Sequence, residues 1–359
     1  MTAGSGPDIR IPVRRLSDFA ARLFEAAGIP GPSGKVVAEA LVAADMEGVP
    51  SHGVMLVPMY VDRIEGGSVS PKTHGRVVSD KGSAVVLDAE NVLGQLTSTQ
   101  AVEILADRAR KHGIAAVAVR NAFHFGTAGR WALALADHGC IGVVMSNTRP
   151  LMPAPGGAEP VVGNNPIAIA MPADCGPPLV LDMAMSAGAM GKIRLAESAG
   201  ARIPEGWATD AAGRPTTDPA EAIKGMLLPA AGPKGFGLAF MIDMLCGGLS
   251  SGSIGEAVSP LYGNFSQAYG CAHFFLAIDV GCFCERAEFE RRVCGFAERV
   301  RSSRRAPGVD RIFAPGEPAW HTRRQNGELC PVAADTVDRL RKTAGKLGVP
   351  TDGVFSDQQ

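Results

Sequence analysis

Hydrophobic positions recur every three to four residues in LSDFAARLFEAAGIP (16–30) and in SGKVVAEALVAADMEG (33–48). That spacing predicts amphipathic helices over most of the first 65 or so residues, with Gly28 and Pro30 as stop signals. From SAVVLDAE (83–90) the pattern changes to short β-branched runs: IAAVAVRNA (114–122), IGVVMSNT (141–148), PIAIAMPA (166–173), LVLDMAMS (179–186) and HFFLAIDV (273–280). Helical patterns in GQLTSTQAVEILADRARKHG (94–113) and GTAGRWALALADHG (126–139) lie between some of them. Strands alternating with helices predict an α/β architecture. EGWATDAAGRPTTDP (205–219) reads as a turn between two short extended pieces. KGFGLAFMIDMLCGGL (234–249) reads as a buried helix, CERAEFERRVCGFAERVRSS (284–303) as a long amphipathic one, and TVDRLRKTAGKLG (336–348) as a helix near the end. Without repeats or a low-complexity linker, any domains are interleaved.

Composition narrows the classes. Of 359 residues, 46% are hydrophobic and 20% charged, with 35 Lys+Arg against 36 Asp+Glu. Such a balance leaves no basic footprint for nucleic acid or an anionic membrane. MTAGSGPDIRIPVRRL has no apolar core of signal length, and LAFMIDMLCGGL, the nearest approach to a membrane span, is broken by Asp243. The eight cysteines form no CxxC pair or zinc-type spacing. Reduced core thiols in the cytoplasm, and no metal, are the expectation.

Phosphate-loop signatures fail one by one. GFGLAF from Gly235 is not G-x-G-x-x-G, SAGAMGKI lacks the earlier Walker glycine, and no HExxH or G-x-S-x-G occurs. Three loops keep chemical interest. SHGVMLVPMY places Ser51, His52, Leu56 and Tyr60 so that a continuous helix would align His52, Leu56 and Tyr60 on one face. AFHFGTAGR puts His124 between a strand and a helix start, where functional side chains of α/β folds gather. PAAGPKGFG sets Lys234 in a Gly-Pro loop ahead of a helix, suited to an anion such as a phosphate. Each also has a plainer use: a packed histidine, a capping group, a solvated charge.

The blocks ADMEGVPSHGV, HFGTAGRWALALADHGCIGVVMSN, PGG…GNNPIA, LDMAMS…GKI, IPEGWATDAAGRPTTDP, LLPAAGPKGFGLAFMIDMLCG and HFFLAID occur in one order from about residue 35 onward. In this the chain resembles the malate/L-lactate dehydrogenase family that lacks a Rossmann fold, which includes ureidoglycolate and sulfolactate dehydrogenases and Δ1-piperideine-2-carboxylate reductase. The resemblance implies a mixed twisted sheet with interleaved domains: a helical part from 1–75 plus 285–359, an α/β substrate-side part from 76–140 plus 270–284, and a cofactor-binding part from 141–269. It also implies a homodimer, and hydride transfer between NAD or NADP and a small carbonyl or cyclic imine. His124 and His52 fall on the family's two candidate proton-transfer histidines, and Ser51 and Tyr60 on its substrate side. Thr148, Asp182, Met183, Ala184, Lys234 and Gly316 fall on cofactor-contacting positions.

One departure bears on the substrate. Most relatives carry an arginine four residues after the SHG histidine, where this chain has Leu56, and a second basic contact aligns loosely with Tyr269. Arginine is the usual two-pronged clamp for a carboxylate, and leucine offers no such contact. The substrate then lacks a free carboxylate at that wall, or Arg149 or Arg130 supplies the clamp from elsewhere, or the protein is a catalytically impaired relative acting as a binding or scaffold subunit. A histidine, titrating near ~6.5, suits proton transfer in either direction.

Overall fold

The computed structural model describes residues 8–355 other than 175; the first seven residues of MTAGSGPDIRIPVRRL, and Cys175, lie outside the described residues. Its centre is a seven-stranded sheet in the order Arg76–Asp80, Ala84–Asp88, Ile114–Ala122, Cys271–Asp279, Cys140–Ser146, Ile167–Met171, Leu179–Met183. Only Ala84–Asp88 and Ile114–Ala122 run parallel, joined through the helix Gly94–His112; the other neighbours are antiparallel. A dinucleotide fold of the doubly wound kind is parallel throughout its core, so this is a different architecture.

The middle strand shows why the sheet forms. Cys271, Phe275 and Ala277 pack into one core and Ala272 and Phe274 into the other, the two-residue alternation of a strand buried on both faces. Phe275 pairs with Val117 on one side and Val144 on the other, and both join it in the larger core. The helices Val13–Ala26, Gly31–Met46, Val57–Glu65 and Ala334–Leu347 cover that larger core. The second core lies under Met190–Ser198, the helix Pro233–Asp243 and a small sheet of Ala208–Thr209, Pro215–Thr216 and Met226–Leu227.

Several expectations need correction. The first 65 residues are not wholly helical: Ile9–Pro12 is a strand, pairing antiparallel with Leu329–Val332. Pro30 opens the second helix rather than ending the first, which stops at Gly28 with φ +99°. The helix Pro233–Asp243 and the π-helical turn Met244–Gly248 bury Ala239, Ile242 and Cys246 but leave Leu238, Phe240, Met241 and Leu249 exposed. Cys140, Cys246, Cys271 and Cys330 are free and buried as expected; Cys282 and Cys284 are free but exposed, and Cys294 is disulfide-bonded. Scattered spacing without a CxxC motif therefore did not exclude a disulfide.

Candidate active site

The SHG stretch does not form one helix. Pro50–His52 is a 3-10 turn, Gly53 is extended at ψ −157°, Val54–Leu56 is a second turn, and the α-helix begins at Val57. The spacing of His52, Leu56 and Tyr60 therefore does not translate into a shared face. Buried Asp45 sets the break: its Oδ2 accepts a hydrogen bond from the Val54 N–H at 2.7 Å, and a Cβ on Gly53 would lie 2.0 Å from its Oδ1. Glycine is required there by close approach. The result turns Leu56 inward, 1% exposed within the main core, so it presents no surface to a substrate. His52 stays half-buried at the protein surface, its Nδ1 3.0 Å from the exposed Ser51 hydroxyl.

His124 follows the strand Ile114–Ala122 and meets Tyr60 from the helix Val57–Glu65. The Tyr60 hydroxyl lies 2.7 Å from His124 Nδ1 and 3.2 Å from the His124 carbonyl oxygen, and it accepts a hydrogen bond from Gln95 Nε2 at 3.1 Å. The His52 and His124 rings stack with centroids 5.3 Å apart. Gly94 permits this closeness, because a Cβ there would sit 2.1 Å from the Phe123 carbonyl and 2.6 Å from that of His124.

Hydrogen-bond capacity then sorts the atoms. Gln95 donates to the tyrosine oxygen, so the single hydroxyl proton points either to Nδ1 or to the carbonyl of His124. In the first case His124 carries its hydrogen on Nε2; in the second Nδ1–H donates to Tyr60 and Nε2 is a bare base. Nδ1 is occupied either way, and Nε2 is the atom left for a substrate. The Gly126 N–H, 3.4 Å from Nδ1, favours the first arrangement. Burial pushes His52 down to about 4; burial, then the neighbouring His52 and His273, hold His124 well below the ordinary histidine value. Both rings are therefore neutral near pH 7. Behind them His273 is fully buried and pushed down to about 3 by burial, with Nε2 3.4 Å from Cys271 Sγ and its ring 4.3 Å from Phe125.

The residues expected at the cofactor lie on the edge strand Leu179–Met183 and in the loops and helix start beyond the strand Cys140–Ser146. Asp182 and Met183 are exposed on the edge strand Leu179–Met183, with Ala184 half-buried after it. The Asp182 carboxylate accepts from the Gly129 N–H at 2.7 Å, five residues beyond His124, which ties this strand to the histidine loop. Gly316, at φ +92°, packs against the same strand: a Cβ there would meet Val180 Cγ1 at 2.8 Å. Thr148 donates its N–H to Asn165 Oδ1 at 2.9 Å and its hydroxyl to Asn164 Oδ1 at 3.0 Å. Lys234 is exposed in the first turn of Pro233–Asp243. Near it a crevice of about 270 Å³ is lined by Gly156, Gly157, Gly213, Gly232 and prolines.

Tyr269 is buried, its ring edge-on to Phe123 at 6.0 Å, while Phe123 in turn packs on Tyr60 at 4.9 Å. Of the two alternative clamps, Arg130 is half-buried, near Glu47 and over the Trp131 ring, and Arg149 is exposed within electrostatic reach of Tyr269. Asp45, Gln95, His273 and the pair Asn147–Asp243 escaped sequence reasoning. Asn147 Nδ2 donates to Asp243 Oδ1 at 2.8 Å, and Asp243 Oδ2 accepts from the Gly255 N–H at 3.2 Å. The aspartate inside LAFMIDML was the one signal: a charge in an apolar helix asks for a buried partner. Among the described residues no cluster of three or more His, Cys, Asp or Glu is placed to hold a metal ion, and no helix is long and apolar enough to cross a membrane.

A family profile described as malate/L-lactate dehydrogenase matches residues 11–341. The malate dehydrogenase of Pyrococcus abyssi is 36% identical over 350 residues, covering 95% of this chain and 96% of that one. The (2R)-3-sulfolactate dehydrogenase (NADP(+)) of Chromohalobacter salexigens is 35% identical over 93% of this chain and 98% of its own. The solved sulfolactate dehydrogenase of Methanocaldococcus jannaschii superposes with a TM-score of 0.92 at 31% identity, covering 97% of this chain and 100% of that one. With an antiparallel-dominated sheet and a neutral histidine pair beside a buried tyrosine, the chain belongs to the malate/L-lactate dehydrogenase family and is an NAD(P)-dependent oxidoreductase.

Proposed function

We propose that the protein moves hydride between NAD(P)H and a small carbonyl or cyclic imine, with His124 as the proton donor and acceptor and His52 as its partner at the substrate. The observation that carries this is the 2.7 Å contact of Tyr60 with His124 Nδ1, which leaves Nε2 as the ring nitrogen free for a substrate, beside the His52 ring. In the oxidative direction neutral His124 acts from the second arrangement: with the Tyr60 O–H turned to the His124 carbonyl, Nδ1–H donates to the Tyr60 oxygen and the bare Nε2 accepts the substrate proton. In reduction the imidazolium returns that proton to the developing alkoxide or amine. The Gln95–Tyr60 pair fixes the ring's orientation throughout. When bound, the nicotinamide supplies or takes up the hydride.

The residues present fit such a coenzyme. Asp182, Met183 and Ala184 offer backbone on an unpaired sheet edge, Gly316 closes over that strand, and glycines in the crevice permit close approach. Lys234 beside helix N-terminal amides suits a phosphate. Thr148 completes the set. The exposed Leu238, Phe240, Met241 and Leu249, along one helix and the turn that ends it, support a homodimer, since exposed apolar side chains grouped on one element suit an interface. A cytoplasmic site of action fits the free thiols of Cys140, Cys246, Cys271, Cys282, Cys284 and Cys330, while the disulfide-bonded Cys294 argues the other way.

With Leu56 in the core, no arginine fork stands one turn beyond His52. Carboxylate recognition is therefore altered, and substrates whose carboxylate is masked as amide or ester are favoured. The test follows NADH and NADPH absorbance with 2-oxo acids and cyclic imino acids set beside their amide or ester counterparts. Turnover of the neutral counterparts is the expected result. Ordinary turnover of the free acids alone would overturn the substrate part and direct attention to Arg149 and Arg130.

A further inference from the structure

Beyond the histidines and Tyr60, the dehydrogenase reading, on which this inference rests, leaves open what the segment packed on Phe123 contributes to the substrate. Arg63, one helical turn beyond Tyr60, is the largest fully buried side chain described, at 0% exposure. Among the described residues no carboxylate pairs with it. Its Nε donates to the Leu261 carbonyl at 3.1 Å, Nη1 to Ser68 Oγ at 3.1 Å and the Gln267 carbonyl at 2.8 Å, and Nη2 to the carbonyls of Pro260 at 2.9 Å and Leu261 at 2.8 Å. The rings of Phe123 and Phe265 flank it at 5.8 and 5.7 Å.

A buried charge without a counter-charge is costly to keep, so its hydrogen bonds carry the argument. All but one of its acceptors belong to a single segment. That segment closes on itself, because the Ser259 N–H donates to the Tyr269 carbonyl at 3.1 Å and Gln267 Nε2 to Ser259 Oγ at 3.1 Å. A loop with adjacent ends is rigid only if something fills it. Arg63 is that filling. The loop delivers Tyr269, whose ring is buried against Phe123 while its hydroxyl finds no hydrogen-bond partner among the described residues and is not sealed from solvent. Burial keeps the phenol protonated, so it is a permanent donor.

We infer that Arg63 is a positioning residue: it holds the 259–269 loop as a wall of the substrate cleft so that the Tyr269 hydroxyl donates to an acceptor oxygen of the substrate next to the reacting carbon. Selectivity then comes from a neutral donor on a braced loop rather than from a cation.

The test is a double-variant cycle on the full chain, with Tyr269→Phe, Arg63→Lys and both together, reading KM for substrate and for coenzyme separately. Tyr269→Phe is expected to raise substrate KM by about tenfold, the usual size of one lost hydrogen bond, with coenzyme KM unchanged. Arg63→Lys raises it at least as much, and the double variant is no worse than Arg63→Lys alone, because the two act as a unit. Effects that multiply, an unchanged KM in Tyr269→Phe, or a parallel rise in coenzyme KM would overturn the inference. Should Arg63→Lys not fold, Phe265→Leu takes its place in the cycle. Amide exchange gives a reading independent of turnover: it accelerates in 259–269 but not in 114–124 when Arg63 is changed, and equal acceleration in both contradicts the positioning role. A wild-type protein that binds coenzyme yet reduces no carbonyl would count against the functional reading alone.

Discussion

The histidine pole and the proposed coenzyme pole of this molecule are built in opposite ways. Around His124 the supporting groups are buried: Tyr60, Gln95, Asp45 and Phe123 are all in or against the main core. Around Lys234, Asp182 and Met183 the side chains are exposed, and the surroundings are glycine- and proline-lined loops and a sheet edge. The first arrangement suits proton transfer, which needs an imidazole held in one orientation within a fraction of an ångström. The second suits a large ligand that arrives and leaves, for which open backbone and one phosphate-seeking lysine serve better than a packed pocket.

Changes at the two poles should therefore separate chemistry from coenzyme binding. The largest effect is expected from His124→Asn: kcat falls by about 10²–10⁴, the usual worth of a positioned acid–base group, while the rise in melting temperature with NADH or NADPH is kept. Lys234→Met should do the reverse, raising coenzyme KM by about tenfold, equivalent to ~1.4 kcal/mol, with kcat little changed. Equal losses in both parameters for both variants would erase the distinction.

The buried titratable groups of the histidine pole add a pH signature. His52 and His273 are held near 4 and 3 while their unfolded values lie at 6.5, so the unfolded chain binds protons first. Their contribution to stability is present above pH 6.5 and is lost as pH falls toward those native values, with a slope of about 1.4 kcal/mol per pH unit for each group. Asp45 works in the other direction. Burial raises it from 3.8 to about 8, so its contribution is complete below pH 3.8 and is lost as pH rises through 8. Asp45→Asn should therefore gain stability relative to the wild type as pH is raised from 5 to 8, followed by thermal unfolding; a difference that stays constant with pH would show that Asp45 does not hold its proton. The smallest effect concerns the apolar face near the coenzyme pole. Met241→Asp should shift the sedimentation coefficient from dimer to monomer with little change in the unfolding temperature of the isolated chain, and an unchanged sedimentation coefficient would remove this face from the interface.

The same contrast explains what could be read from the amino-acid order. The strands of the sheet show as β-branched runs because burial on both faces demands them, and His52 and His124 stand out as ionisable residues in otherwise small or apolar loops. Arg76–Asp80 escaped notice because an edge strand with charged ends carries a weak pattern. Ile9–Pro12 escaped because its partner, Leu329–Val332, is more than three hundred residues away. Leu56 was misplaced for a local reason: helical spacing assumed a continuous helix, and Gly53 interrupts it to clear Asp45. Gln95 sits in a segment that reads as an ordinary helix start, and nothing in its neighbours announces that it will meet Tyr60. Contacts between distant segments decide these positions, and a single sequence does not display them.

The central claim is that His124, not His52, exchanges the proton at Nε2. The most direct measurement compares His124→Asn and His52→Asn in single-turnover oxidation of bound NADPH or NADH by a substrate found in the carbonyl panel, across pH 5 to 9. The account predicts that His124→Asn abolishes the pH-dependent phase and slows hydride transfer by at least a hundredfold, whereas His52→Asn keeps that phase and mainly weakens substrate binding. A His52→Asn variant that loses the phase while His124→Asn retains it would contradict the account and exchange the two roles.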